Sequence, residues 1–289
     1  MRIDAHVHVW TLDAARYPWH QTLAHVPVPT EPATIEQYLA EMADAGIERA
    51  VLVQPSTYGW DNGYLCDALK VAPERLAGVC LVDPRSPNAG DELRRWCLEG
   101  GCRGLRINVI AEPDEPAWLL GRDALWDVAE ELGVSVSFQV RPEQVGPIAR
   151  LALARPGLTL LVDYLGPEGY HNLRTVDRLG ALVERPNVHL KLLAVGQDST
   201  EPYPFADLWP VYERLVALFT PDRIVFGTDY PVVLQATDYR RAARWPEELS
   251  FLDAAVMSRM DRTAARIWGF PIDPAAAPSA EVNPEVAGG

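Results

Sequence analysis

Two histidines stand two residues apart near the start of the chain, in the segment MRIDAHVHVW. Apolar and polar residues alternate along residues 3–9, which is the period of a β-strand with two unlike faces. We therefore expect His6 and His8 side by side on one face of a first strand, with Asp4 on the same face. Imidazole binds divalent metal ions and exchanges protons near neutral pH, so the pair predicts a metal site or an acid-base site. The alternative is an edge strand whose histidines are solvated.

The composition predicts a globular protein that acts on a small molecule. The 289 residues are 48% hydrophobic and carry a formal net charge of −14, which disfavours nucleic acid and anionic membranes as partners. We see no apolar run of the ~18 residues that a bilayer span needs. The 4 cysteines form no C-x-x-C pair, so we expect reduced thiols and a cytoplasmic location. A homodimer is a possibility that the sequence leaves open.

Strands and helices alternate along the chain. Apolar runs predict buried strands, and amphipathic segments predict helices between them. Eight such units within the length of one domain favour a closed (β/α)₈ TIM barrel, an α/β fold, over an open doubly wound sheet. No glycine-rich phosphate loop follows a predicted strand, which disfavours nucleotide binding. Beyond the first strand, we expect strands at 49–56, 76–82, 103–109, 134–140, 158–162, 188–193 and 223–226, and helices at 35–45, 64–72, 89–99, 124–132, 142–154, 173–185, 208–218 and 249–268.

The domain organisation is expected to be simple. Residues 1–270 form the barrel, and its closing helix packs beside the last strand. Residues 271–289 are rich in Pro, Ala and Gly and have too little apolar surface to order themselves, so we expect a flexible tail. The loop 11–34 is long and has no helical pattern, which predicts a lid or a pocket wall.

An aspartate near the other end of the chain completes a set with the two histidines. Active sites of TIM barrels lie at the carboxyl ends of the strands, and in a closed barrel the eighth strand lies beside the first. Asp229 therefore comes within reach of His6 and His8. Two imidazoles and a carboxylate form either a three-ligand metal site, for which zinc is the first expectation, or a metal-free general-base site. Both alternatives stay open.

Further polar residues follow the other predicted strands. Arg106 and Arg141 end the fourth and fifth strands, and a guanidinium suits a carboxylate or a polarised carbonyl, so we expect an oxygen-rich or carboxylated substrate. Pairing of these arginines with Asp83 or Asp163 across the barrel is the structural alternative, and it applies to Lys191 as well. The other side chains expected near the substrate are Gln54, Tyr58, Gln139, Tyr164 and His171.

Six motifs carry a resemblance to a known family. They are DAHVHVW at 4–10, VLVQPS at 51–56, GLR at 104–106, DYLG at 163–166, LKL at 190–192 and FGTDYP at 226–231. Over residues 2–270 the chain resembles the amidohydrolase-2 branch of the amidohydrolase superfamily. The resemblance implies a (β/α)₈ hydrolase with its site at His6, His8 and Asp229, similar to lactonases that act on sugar lactones and on pyrone dicarboxylate.

Two positions depart from the family pattern. The sixth strand of the family ends in Asp-His-Leu-Gly, where this chain has Tyr164. Members with strong metal sites carry a histidine at the end of the fifth strand, where this chain has Gln139. His171 is a residue that would replace the missing imidazole. The resemblance is therefore compatible with hydrolysis with or without a metal.

These features together predict a hydrolase that opens a lactone. Asp229 would take a proton from water and return it to the leaving alkoxide, while the histidines and an arginine stabilise the oxyanion. One alternative is a decarboxylase or other carbon–carbon lyase of the same superfamily. A second alternative is a non-catalytic barrel that binds an acidic metabolite.

Overall fold

The computed structural model describes residues 1–23, 26–116, 118–165, 173–194 and 196–272. Eight strands follow one another in chain order within one sheet, and every pair of consecutive strands is parallel. The expected (β/α)₈ barrel is thereby confirmed. The strands are β1 (Ile3–Val7), β2 (Arg49–Val53), β3 (Leu76–Leu81), β4 (Cys102–Asn108), β5 (Ser135–Gln139), β6 (Leu160–Tyr164), β7 (Val188–Leu193) and β8 (Ile224–Gly227).

The barrel closes where β1 meets the segment that follows β8. The amide of Asp229 donates to the carbonyl of His6 over 3.0 Å, and the amide of His8 donates to the carbonyl of Tyr230 over 2.7 Å. These bonds pair backbone groups of β1 that an open sheet would leave at its edge. They also bring the residues after β8 to the carboxyl end of β1, as barrel closure predicts.

Helices cover the outside of the sheet. The first begins at the side chain of Thr34, which forms a capping box with Gln37, and ends at Gly46, whose φ of 73° suits glycine. No helix in the described part of the chain has the length and apolar character of a membrane span. The helices are α1 (Ile35–Ala45), α2 (Gly63–Val71), α3 (Ala89–Leu98), α4 (Asp123–Leu132), α5 (Val145–Ala154), α6 (Leu173–Arg178), α7 (Gly180–Val183), α8 (Trp209–Phe219), α9 (Tyr239–Arg244) and α10 (Ala254–Trp268).

Some predicted helix boundaries are wrong. The closing helix begins at Ala254 and not at 249, because the side chain of Asp253 accepts a hydrogen bond from the amide of Val256 and caps the helix there. The predicted helix 173–185 is divided into α6 and α7. Helix α9 is absent from the prediction, and it begins after Asp238, which caps it in the same way. Residues 273–289 lie outside the described residues, so the flexible tail stays a prediction.

Strand β1 changes face in its middle, which corrects the expected alternation. Between Asp4 and Val7, three steps along β1 match two steps along β2, so the strand contains a β-bulge. Ala5 packs in the inner cluster of the barrel, whereas Val7, two residues further on, packs in the outer layer. Asp4 consequently faces the helices and bonds to Tyr38 of α1. It does not share a face with the two histidines.

The amino-terminal end of the barrel is filled by apolar side chains. Aliphatic residues of β1, β2, β3, β6 and β8 form the inner cluster together with Trp268, at the end of α10, and Phe270, just after it. The carboxyl side chain of Asp261, also on α10, accepts a hydrogen bond from the amide of Ile3 over 3.0 Å. This end is therefore closed by the last helix, and access to the interior is from the carboxyl ends of the strands.

Candidate active site

A cavity of about 450 Å³ opens at the carboxyl ends of the strands. The residues that line it are His6 from β1, His8 just after β1, Arg106 from β4, Gln139 from β5, and Asp229 from the segment after β8. The cavity lies where the fold places the active sites of TIM barrels. Five of the residues singled out from the sequence thus come together around one space.

The two histidines and the aspartate are in mutual contact. The Nε2 atoms of His6 and His8 are 3.2 Å apart, and Oδ1 of Asp229 lies 3.6 Å from the first and 3.5 Å from the second. Three ligand atoms bound 2.0–2.1 Å from one tetrahedral ion would be about 3.3 Å apart. The spacing of this donor set therefore fits a single divalent ion.

The contacts of the imidazoles indicate where their protons lie. Nδ1 of His8 is 2.7 Å from the carbonyl of Val53, which can only accept, so Nδ1 carries the proton and Nε2 is free to accept. Nδ1 of His6 is 3.2 Å from Nζ of Lys191, and an ammonium can only donate. His6 then carries its proton on Nε2, facing the free Nε2 of His8. This assignment places one donor and one acceptor in each of three contacts, those of His8 with Val53, of His6 with Lys191 and of His6 with His8, without an ion.

Behind the histidines lies a buried group of charges. Nζ of Lys191 is 2.8 Å from one oxygen of Asp163, and Nε of Arg106 is 3.2 Å from the other. The exposed fraction of each side chain is 5% or less. The alternative in which Arg106 and Lys191 pair with Asp163 is therefore what the structure shows, although Arg106 also lines the cavity.

Burial keeps both imidazoles neutral at neutral pH. Loss of hydration is the largest effect and places the pKa of His6 well below its usual range, and the positive charge of Lys191 acts in the same direction. Burial, followed by the charge of Arg106, lowers the pKa of His8 to about 3. Neutral imidazoles can accept a proton, donate a hydrogen bond or bind a metal ion.

Asp229 is held in an unusual backbone conformation. Its φ is 60°, in the left-handed region that residues other than glycine rarely adopt. Burial raises the pKa of its carboxyl to about 7, against the opposing effect of Arg106. The amide of Gln197 donates to Oδ2 of Asp229 over 3.4 Å. The carboxyl group is thus able to exist in both protonation states near neutral pH.

The expectation for Arg141 is corrected by the structure. Its guanidinium donates to the carbonyl oxygens of Ile110 and Glu112 and pairs with Asp114 at 2.8 Å, in the segment after β4. It does not line the cavity. The side chain stabilises a loop because carbonyl oxygens left unpaired after a strand need donors. Arg106 therefore remains as the arginine of the site.

Two other side chains expected to contact the substrate form hydrogen bonds to loop carbonyls instead. The amide of Gln54 donates to the carbonyls of Gly59 and Asp61, at 3.2 and 2.7 Å. The hydroxyl of Tyr58 donates to the carbonyl of Thr11 over 2.8 Å. Neither side chain lines the cavity. Both hold the loops around it in place.

Two predicted site residues cannot be placed in the cavity. The backbone of Tyr164 ends β6, but its side chain lies outside what the structure describes. His171 lies outside the described residues altogether. The roles expected for these two residues stay predictions.

The loop 11–34 forms part of the cavity wall, as the sequence predicts. Leu23, Val26, Pro27 and Pro29 line the cavity from this loop. Together they give the wall an apolar surface opposite the polar residues of the strands.

Two glutamines at the cavity were missed by the sequence reasoning. Gln197 and Gln235 lie on short 3₁₀ turns, Gly196–Asp198 after β7 and Val232–Gln235 after β8. The rule that site residues follow barrel strands could have indicated them, had it been extended a few residues into each loop. With Gln139 they supply three neutral amide groups.

Comparison with known proteins agrees with the geometry. The sequence model of the amidohydrolase family matches residues 3–270. A 4-sulfomuconolactone hydrolase of Hydrogenophaga intermedia is 27% identical over 236 residues, which cover 79% of this chain and 74% of the relative. An L-fucono-1,5-lactonase of Burkholderia ambifaria is 28% identical over 256 residues, or 84% of this chain and 85% of the relative.

Solved structures show the same fold. An amidohydrolase from Burkholderia multivorans, crystallised with bound zinc, superposes with a TM-score of 0.71 at 24% sequence identity. The superposition covers 94% of this chain and 100% of that protein.

Proposed function

The chain belongs to the amidohydrolase family, and on this premise we propose that it is a hydrolase that opens a lactone ring. The observation that carries the proposal is the carboxylate of Asp229 at 3.5–3.6 Å from the Nε2 atoms of His8 and His6, beside a cavity large enough for a small ring. Two relatives with lactone-hydrolysing names support the choice of substrate.

Asp229 acts as the general base and then as the general acid. It takes a proton from water as the water oxygen forms a bond to the lactone carbonyl carbon. When the ring C–O bond breaks, the same carboxyl returns the proton to the departing alkoxide, giving a hydroxy acid. One carboxyl suffices because the leaving oxygen stays tethered to the product.

Negative charge develops on the carbonyl oxygen in this step. Arg106 lines the cavity and brings a permanent positive charge next to it. The Nε2 proton of His6 points to Nε2 of His8, so the carbonyl oxygen would share this donor with His8. Nε2 of His8 accepts the hydrogen bond from Nε2 of His6 and so fixes the orientation of the two imidazoles. The residues of the chain thus provide a base, a cation and a donor around one position.

A divalent ion is compatible with these residues. His6, His8 and Asp229 would hold it, since their ligand atoms lie within 4.8 Å of one another. Binding would displace the Nε2 proton of His6, and zinc is the first expectation for two imidazoles and a carboxylate. When bound, the ion supplies Lewis-acid polarisation of the carbonyl and a more acidic water. The side-chain roles of Arg106 and the lining glutamines do not depend on it.

The charges around the cavity favour a substrate without several acid groups. Among the described lining residues Arg106 is the one Lys or Arg, and none of the residues outside the described ranges is Lys or Arg. Its charge is already opposed by Asp163, and Asp229 adds a further negative charge. We therefore propose an uncharged or singly charged lactone, with hydroxyl or carbonyl groups for Gln139, Gln197 and Gln235.

A lactone panel tests this function. Purified protein is incubated with neutral hydroxylated lactones and with carboxylated pyrones, each with and without a chelator. The masses of the products are then measured by mass spectrometry. We expect neutral lactones to gain one water. Loss of carbon dioxide from a carboxylated substrate would establish the lyase alternative, and a bound but unaltered ligand would establish the binding protein.

A further inference from the structure

Asp4 faces away from the cavity, yet its carboxylate is bonded to the segment that carries Asp229. Its Oδ1 accepts from the amide of Thr228 over 2.9 Å, and its Oδ2 accepts from the hydroxyl of Thr228 over 2.7 Å. Asp4 and Thr228 are both fully buried, and neither lines the cavity. The contact therefore joins the outer face of β1 to the residue immediately before Asp229.

The bonds around Thr228 continue to the other side of Asp229. The Thr228 hydroxyl accepts from the amide of Tyr230 over 3.2 Å, while the amide of Asp229 itself donates to His6. Asp229 has a φ of 60°, a conformation that costs free energy and persists only where the surroundings hold it. The hydroxyl of Thr228 thus ties both neighbours of a strained residue to β1.

We propose that Asp4 and Thr228 are positioning residues for Asp229. Through the hydroxyl of Thr228, the Asp4 carboxylate holds the chain so that Asp229 keeps its left-handed conformation and its carboxylate stays against His6 and His8. The inference rests on the proposed function, in which Asp229 is the acid-base group. A displacement of about 1 Å at such a group can lower turnover 10²-fold.

Two tyrosines offer a matched control. Tyr239 of α9 donates to Oδ2 of Asp4 over 3.0 Å, and Tyr38 of α1 lies 3.4 Å from the same oxygen. Both bonds reach Asp4 from the helices and do not involve the segment of Asp229. Loss of the Tyr239 hydroxyl removes a buried hydrogen bond of Asp4 without releasing Thr228.

The experiment compares Thr228→Val, Thr228→Ser and Tyr239→Phe with the parent in the lactone assay. We expect Thr228→Val to lower kcat at least tenfold with KM within about twofold, because substrate contacts are unchanged. The serine variant keeps the hydroxyl and should recover kcat to within about threefold. Tyr239→Phe should keep kcat within about threefold, although it loses a hydrogen bond of the same carboxylate. Asp4→Asn is a poorer test because it risks misfolding.

Crystal structures of the parent and of Thr228→Val give a readout that does not need activity. We expect the valine variant to lose the positive φ of Asp229 or to move its carboxylate away from the histidines. An unchanged Asp229 together with unchanged kcat overturns the positioning role. So does a fall of kcat in Tyr239→Phe as large as that in Thr228→Val. If Asp229→Asn retains full activity, the proposed function fails instead, and the crystal structures still decide the positioning role.

Discussion

The Nδ1 atom of His6 lies 3.2 Å from the ammonium nitrogen of Lys191, which is itself completely buried. The ammonium is compensated by Asp163 at 2.8 Å. A buried charge pair of this kind is sensitive to the removal of one partner, because the remaining charge loses its compensation. The core of the barrel and the imidazole at its carboxyl end therefore depend on the same lysine.

Replacement of Lys191 should destabilise the whole barrel. We expect Lys191→Met to lower the free energy of unfolding by about 3 kcal/mol or more, as measured by urea denaturation. The control is Lys70→Met, which removes the chain's other lysine from an exposed pair with Asp67 and should leave the free energy of unfolding nearly unchanged. Equal effects of the two variants would show that the buried pair is not essential.

Neutralisation of Asp229 should remove the acid-base step without unfolding the protein. We expect Asp229→Asn to lower turnover by about 10²–10⁴, the range of general acid-base catalysis, with the melting temperature unchanged or higher. Asp261→Asn neutralises another buried aspartate, at the opposite end of the barrel, and should keep full activity. An active Asp229→Asn variant would contradict the acid-base role.

The stability of the protein should respond to Asp261 as the pH rises. Burial raises the pKa of this carboxyl to about 6, and the hydrogen bond from Ile3 opposes the shift only in part. The folded state therefore binds the proton more tightly than the unfolded chain, so folding stability is lost as pH rises from about 4 to about 6.

Substitution of Asp261 by Asn should remove that loss. The free energy of unfolding of Asp261→Asn and of the parent is measured by denaturation at pH 4 and at pH 7. We expect the difference between variant and parent to shift in favour of the variant by on the order of 2 kcal/mol from pH 4 to pH 7. Asn retains the oxygen that accepts from Ile3, so the hydrogen bond stays. If the free energies of unfolding of the two proteins change in parallel with pH, the carboxyl of Asp261 does not cause the loss of stability.

A cation added to the cavity should change the substrate preference. Gln235 lines the cavity and is exposed, so Gln235→Arg is expected to fold normally. The ratio of kcat/KM for a carboxylated lactone to that for its neutral analogue should rise about tenfold, which corresponds to about 1.4 kcal/mol. Gln235→Glu is the matched variant and should lower the ratio. If neither variant changes this ratio of kcat/KM values, the carboxylate of the substrate does not bind near residue 235.

The sequence predicts the meeting of His6, His8 and Asp229 because closure of an eight-strand barrel is a matter of strand count. It does not predict that Arg141 bonds to loop carbonyls, since its partners belong to a different segment of the chain. The bulge in β1 is equally hidden, because the apolar and polar residues continue to alternate through it. The sequence also does not predict that Gln197 and Gln235 line the cavity, because the path of a short turn decides which way their side chains face.

The contact between the first strand and the last helix has a consequence for biosynthesis. Ile3 is bonded to Asp261, and the inner cluster that contains Ile3 is completed by Trp268. A nascent chain emerges amino terminus first, so β1 can pair with β2 early but must wait for nearly the whole barrel before its partners after β8 and in α10 exist. Until then its apolar residues and its unpaired edge are exposed, and the two histidines have no aspartate beside them. The active site is consequently among the last parts of the molecule to form.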